Sequence, residues 1–271
     1  MSSKKFNDFF AGTGVSTVPA DKPSGVSIFL HGLAGSGKTS LAASATTVEG
    51  MGPVLFLDVE GRVGMALKDW GDPDNATVVP VSSWPEMAKA KRVIQAALAK
   101  GEFPYKTVVL DSMDRLQKKI LDHFGQESIS GNNSFLKWGE AYERLADLLE
   151  MFLMAPGVSL IAITHSTREN DEVSGGSLIS PNFEGKKSLP NLPSMFDLVG
   201  YMFWEQDDEE EATEPTIVFR SQGVIAKKGS RYIPDRIKAP SMGELYASLM
   251  SDGSAESDSN DGSDETHTDK K

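Results

Sequence analysis

Eight consecutive residues, Gly32-Leu33-Ala34-Gly35-Ser36-Gly37-Lys38-Thr39, have the types and spacing needed to hold a chain of phosphates. Glycines let successive backbone N–H groups turn inward around phosphate oxygens. The lysine adds a point charge at the β- and γ-phosphates, and the threonine offers a hydroxyl to Mg²⁺. Ser40 continues the turn into the helix that such a loop opens. The chemistry implied is binding and hydrolysis of a nucleoside triphosphate, with ATP and Mg²⁺ as the ligands.

Three further segments carry groups suited to that chemistry. Val108-Val109-Leu110-Asp111-Ser112 ends an apolar run in a carboxylate. At the carboxyl end of a buried strand an aspartate can hold a magnesium ion through its water shell. Taken alone it can equally cap the following helix. Leu57-Asp58-Val59-Glu60-Gly61 places Glu60 just beyond another apolar run. There it can polarise a water attacking the γ-phosphate, or stand as an ordinary loop carboxylate. Ile161-Ala162-Ile163-Thr164-His165 ends a third run in a histidine, suited either to sensing the γ-phosphate or to a structural hydrogen bond.

The elements that must position these groups follow from the pattern of apolar residues. Residues 26–31, 54–58, 77–81, 106–111 and 158–164 read as buried strands. Residues 38–47, 84–100 and 135–155 read as helices between them. Ser83-Trp84-Pro85-Glu86 is a helix start, with a capping serine, proline in the first turn and glutamate three residues on; Gly101 is its stop. The alternation predicts an α/β fold, mainly a parallel sheet with helices on both faces. Residues 201–204 and 216–220 read as antiparallel strands at the C-terminal end.

Composition excludes several classes. There is no cysteine, hence no disulfide, thiol catalysis or cysteine-bound zinc, which suits a reducing cytoplasm. No run reaches membrane-spanning length and none of signal-peptide length follows Met1, so the expectation is a cytoplasmic protein with no membrane partner. The net charge of −12 is concentrated. Residues 205–214 hold seven acids, and residues 251–271 hold seven acids and two lysines, which leaves the remainder neutral. The domain boundaries expected are an N-terminal extension over 1–24, an ATPase domain over 25–250 and a disordered acidic tail over 251–271. Phe6, Phe9 and Phe10 in the extension form a short apolar cluster suited to docking on the core or on a neighbouring subunit.

Together, the strand–Gly loop–helix unit, Glu60, Asp111-Ser112 and a strand ending in a polar residue resemble the RecA-like P-loop NTPase core. The likeness extends over about residues 24–240. The resemblance implies that Glu60 is the catalytic base. The Thr164-His165 pair, Phe183-Glu184-Gly185-Lys186 and the late Lys228–Arg231 pair resemble, more narrowly, small phage Sak-type ATPases of recombination and single-strand annealing. That likeness implies single-stranded DNA and a single-stranded-DNA-binding protein as partners, in a host cytoplasm. In RecA-like proteins the loop equivalent to 168–193 meets DNA. Here it makes Arg168, Lys186 and Lys187 candidate phosphate contacts and Phe183 a candidate base-stacking ring. In RecA-like assemblies basic residues placed like Lys228 and Arg231 reach the γ-phosphate of the next subunit, which implies a homo-oligomer, ring or filament. Other readings of the same loop are a hexameric helicase-like motor, a small-molecule kinase and an ATP-gated DNA-binding scaffold.

Overall fold

The structure is a computed structural model and describes residues 25–127, 134–170, 175–185, 189–206 and 213–250. The extension with its phenylalanines, Lys186, Lys187 and the acidic tail lie outside the described residues.

Strands β1 (Ser27–Gly32), β2 (Val54–Asp58) and β4 (Thr107–Asp111) are buried at every position, as apolar strands covered on both faces must be. With β3 (Ala76–Pro80), β5 (Ser159–Asn170) and β7 (Leu198–Gln206) they form a parallel array. β8 (Thr213–Val218) and β9 (Arg236–Lys238) extend it antiparallel. The spatial order is β3-β2-β4-β5-β1-β7-β8-β9. The expected mainly parallel sheet with antiparallel C-terminal strands is what forms.

Alternate residues of each strand serve opposite cores. Leu55, Leu57, Val108, Leu110, Leu160 and Ala162 face α3 (Trp84–Lys100), α4 (Met113–Glu127) and α5 (Ser134–Leu153). Val54, Phe56, Val109, Ile161 and Ile163 face α1 (Lys38–Ala43), α2 (Val63–Trp70) and α6 (Met242–Met250). The period of two puts one residue in each core, so a single register slip would exchange the two faces. α3 begins and ends as its sequence predicts: the Ser83 hydroxyl accepts from Glu86 N, and Gly101 takes the left-handed conformation.

Residues 168–193 do not form one long loop. β5 runs on to Asn170, six residues past its expected end, and pairs antiparallel with β6 (Ser177–Pro181); a 3₁₀ turn covers Leu189–Met195. This hairpin arm leaves the sheet beyond His165.

Candidate functional site

The four groups singled out in the sequence meet at the carboxyl ends of β1, β2, β4 and β5, and β5 lies between β1 and β4. A cleft of about 340 Å³ there is lined by the loop, Glu60, Arg62, Trp70, Asp111, Ile163, His165 and Trp204.

Gly35 and Gly37 adopt left-handed φ of 81° and 91°, and nothing lies within 4 Å of where a Cβ on Gly35 would stand. The loop therefore has open space at its crest and a left-handed residue directly before α1, as an anion cradle at a helix start requires. Lys38 is buried, and its ammonium curls back to donate to the carbonyls of Gly32 (2.9 Å) and Leu33 (2.8 Å) and to Ser36 Oγ (3.3 Å). Burial lowers its pKa, while the charges of Asp111, Glu60 and Asp114 oppose that shift. A phosphate chain in the loop would offer this ammonium a stronger, charged acceptor than the two carbonyls.

Thr39 Oγ1 donates to Asp111 Oδ2 at 2.7 Å. Asp111 is 3% exposed, and burial pushes its pKa up to about 6; the Thr39 bond works against that rise and the charges of Glu60 and Asp58 add to it. A hydroxyl and a carboxylate side by side are hard oxygen donors, and a desolvated carboxylate gains most from a divalent cation, so this pair fits Mg²⁺.

Glu60 is placed by Asp58. The Asp58 carboxylate accepts from the N–H groups of Glu60 (3.2 Å), Gly61 (2.7 Å), Arg62 (3.4 Å) and Val63 (3.3 Å), which folds the bend after β2 and starts α2. Glu60 Oε1 in turn accepts from Ser112 Oγ at 2.6 Å and lies 3.6 Å from His165 Nδ1 and 3.9 Å from Arg115 Nε. His165 Nδ1 is 2.9 Å from Asp114 Oδ2. One donor atom from each of Glu60, Asp114 and His165 lies within 4.8 Å of the other two.

His31, at the loop end of β1, holds the root of the arm. Its Nε2–H donates to the Ile225 carbonyl at 2.7 Å, which leaves Nδ1 to accept from Ser166 Oγ at 2.9 Å. Burial depresses its pKa to about 4, so at neutral pH the ring is uncharged.

Four residues of this rim were not visible as such in the sequence: Asp58, Asp114, Trp70 and Trp204. The Trp204 indole N–H donates to the Gly35 carbonyl at 2.7 Å, which ties β7 to the loop crest. Asp58 alone carried a signal, since an aspartate three residues before Gly61 marks a turn.

Other sequence candidates lie elsewhere. Arg168 stands exposed on the arm, opposite Ile179. Phe183 is half-buried against the core, its ring centroid 6.3 Å from that of Phe29, so it is not the exposed stacking surface its polar neighbours suggest. Lys228 pairs with Asp235 at 2.9 Å. Arg231 lies over the Tyr232 ring and lines a cleft of about 650 Å³ with Gly25, Val26 and Ser27, at the end of β1 opposite the phosphate loop. Neither lies among the residues that line its own chain's nucleotide cleft.

A phosphate loop after β1, a carboxylate at the end of β4 and a polar residue, His165, on the intervening strand β5 define a P-loop nucleotide-binding site. Residues 24–233 match the model of the AAA domain family, and the chain belongs to that family. Its members are ATPases, which use ATP and typically a divalent metal. No curated protein matches the chain. Among solved structures it is similar to a KaiC-like protein from the hyperthermophilic archaeon Pyrococcus horikoshii. The two share 17% identity with a TM-score of 0.47, over 80% of this chain and 86% of that one. Among the described residues no helix is long and apolar enough to cross a membrane.

Proposed function

We propose that this ATPase couples hydrolysis to single-stranded DNA, in the manner of Sak-type recombination and annealing proteins. The observation that carries the reading is the continuity of β5. One strand runs from the cleft at His165 directly into the arm that bears Arg168, so a change at the terminal phosphate is felt at the base of an exposed, cation-bearing hairpin.

In this reading the loop N–H groups of residues 33–40 and the Lys38 ammonium bind the phosphate chain. Mg²⁺ bound at Thr39 and Asp111 would neutralise charge that develops on the β- and γ-phosphates. Glu60, oriented by Ser112, accepts a proton from the attacking water. His165 lies beside the terminal phosphate and reports its loss to the arm. Lys228 and Arg231 act on a neighbouring subunit's nucleotide, which makes the active species an oligomer. Arg168, with Lys186 and Lys187, contacts DNA phosphates, and a single-stranded-DNA-binding protein is the expected partner.

Fluorescence anisotropy of a labelled single-stranded oligonucleotide tests the DNA step. Binding is expected to tighten at least about tenfold when ATP and Mg²⁺ are present, and Arg168→Ala to reduce the salt slope of binding by about one. Nucleotide-independent binding would overturn the coupling, and no binding at low salt would overturn the DNA role altogether.

A further inference from the structure

We propose that Asp114 is a positioning residue. It fixes the ring and tautomer of His165, and so makes α4 the common holder of the catalytic rim and the arm. This rests on the reading that His165 faces the terminal phosphate.

Residues 111–114 lead from β4 into α4, and three of the four carry polar side chains turned to the site. Asp111, Ser112 and Asp114 each bond a side chain from a different strand or loop: Thr39 at the end of the phosphate loop, Glu60 after β2 and His165 within β5. Asp114 is the most elaborate of the three. One oxygen faces His165 Nδ1 at 2.9 Å, and the other faces the His165 backbone N–H at 3.4 Å and Thr164 Oγ1 at 3.3 Å. Both oxygens therefore grip the same short stretch of β5. The Asp114 side chain is only 8% exposed, and His165 is its sole ion-pair partner among the described residues.

A carboxylate accepts and does not donate, so Nδ1 must carry the hydrogen. Nε2 is then the free ring nitrogen, with no hydrogen bond among the described residues; in this tautomer it accepts, so beside the terminal phosphate it is suited to a water or hydroxyl donor and not to a phosphate oxygen. Carboxylates behind metal-ligating histidines set ring orientation in this way, and their loss commonly costs about 10–100-fold in metal affinity or activity; an effect of that order is expected here. One helical turn later on the same face, Gln117 clasps the far side of the arm. Its amide donates to the Glu184 carbonyl (2.6 Å) and accepts from Glu184 N (2.8 Å). Residues three apart share a helix face, so α4 holds the arm at His165 and again beyond β6.

The test uses the full chain labelled with ¹⁵N at histidine. Long-range ¹H–¹⁵N spectra give the tautomer of each ring, and His165 is assigned by the signal lost in His165→Gln. Wild type is expected to show hydrogen on Nδ1 of His165, and Asp114→Ala to shift the ring to the Nε2–H form that free imidazole side chains favour. In steady-state assays Asp114→Ala should lower kcat about 10-fold or more with KM for ATP changed less than about 3-fold. Added to His165→Ala it should lower kcat by less than about 2-fold further, because both changes break one unit. Nε2–H in the wild type, or losses that multiply in the double variant, would overturn the proposal. If His165→Ala leaves hydrolysis unchanged, the reading of His165 at the phosphate fails, while the tautomer measurement still decides the placement by Asp114.

Discussion

Glu60→Gln is expected to lower kcat for ATP by about 10²–10⁴-fold while leaving ATP affinity within a few-fold of wild type. The size follows from the proposed role. A carboxylate that accepts the proton of the attacking water contributes in the transition state and little to ground-state binding, so its loss appears in kcat. Glutamine keeps the shape of the side chain and an oxygen that can accept from Ser112 Oγ, so the bend built by Asp58 should persist. The side chain is 16% exposed, and most of its polar contacts are on the rim; the melting temperature should therefore move little. The same variant separates two biological readings. A protein in which nucleotide merely gates DNA binding would keep ATP-dependent binding and annealing after Glu60→Gln, whereas one that works by turnover would stall in the bound state. Rapid-quench measurement of phosphate release, with nucleotide affinity measured beside it, reads the effect. A kcat within threefold of wild type would take the base role away from Glu60.

Asp111→Asn is expected to abolish metal-dependent hydrolysis and, in the absence of nucleotide, to stabilise the fold. Burial has raised the folded-state pKa of Asp111 to about 6 from 3.8. The folded chain thus holds this proton more tightly than the unfolded chain does. The carboxylate costs nothing below about pH 3.8; the cost grows as pH rises and is complete above about pH 6, where a shift of this size corresponds to about 2–3 kcal/mol. Asparagine removes the charge and still accepts from Thr39 Oγ1. Near neutral pH the variant should therefore melt roughly 4–8 °C higher than wild type, a difference that shrinks to less than half at about pH 4.5. With Mg²⁺ and ATP present the order should reverse, since ligand stabilisation accrues only to the form that binds. Calorimetry across this pH range, with and without Mg·ATP, checks both signs. A variant less stable than wild type near neutral pH would show that the burial cost of Asp111 has been misjudged.

Much of this site was legible because its parts are contiguous or close in sequence to a buried strand. The phosphate loop is one uninterrupted segment after an apolar run. Asp111, Glu60 and His165 each follow β-branched or aliphatic runs, and the end of a buried strand in a parallel sheet is where ligands bind. Asp114 was not legible. An acid in the first turn of a helix is ordinary, and its partner lies 51 residues away. The arm was missed for a different reason. Ser166-Thr167-Arg168-Glu169-Asn170 are polar and half-buried or exposed, so no period-two apolar pattern marks this half of the ribbon. Phe183 misled because its neighbours in sequence are polar; Gln117 clamps the adjacent Glu184 to α4, which leaves the ring packed beside Phe29.

ATP turnover with and without single-stranded DNA, over a series of protein concentrations, decides whether hydrolysis is coupled to DNA and to assembly. The dilute protein is expected to hydrolyse ATP slowly, with a specific activity that climbs with concentration as Lys228 and Arg231 are supplied between subunits, and that rises further when DNA occupies the arm. Turnover that is fast in dilute solution and indifferent to both protein concentration and DNA would contradict both couplings.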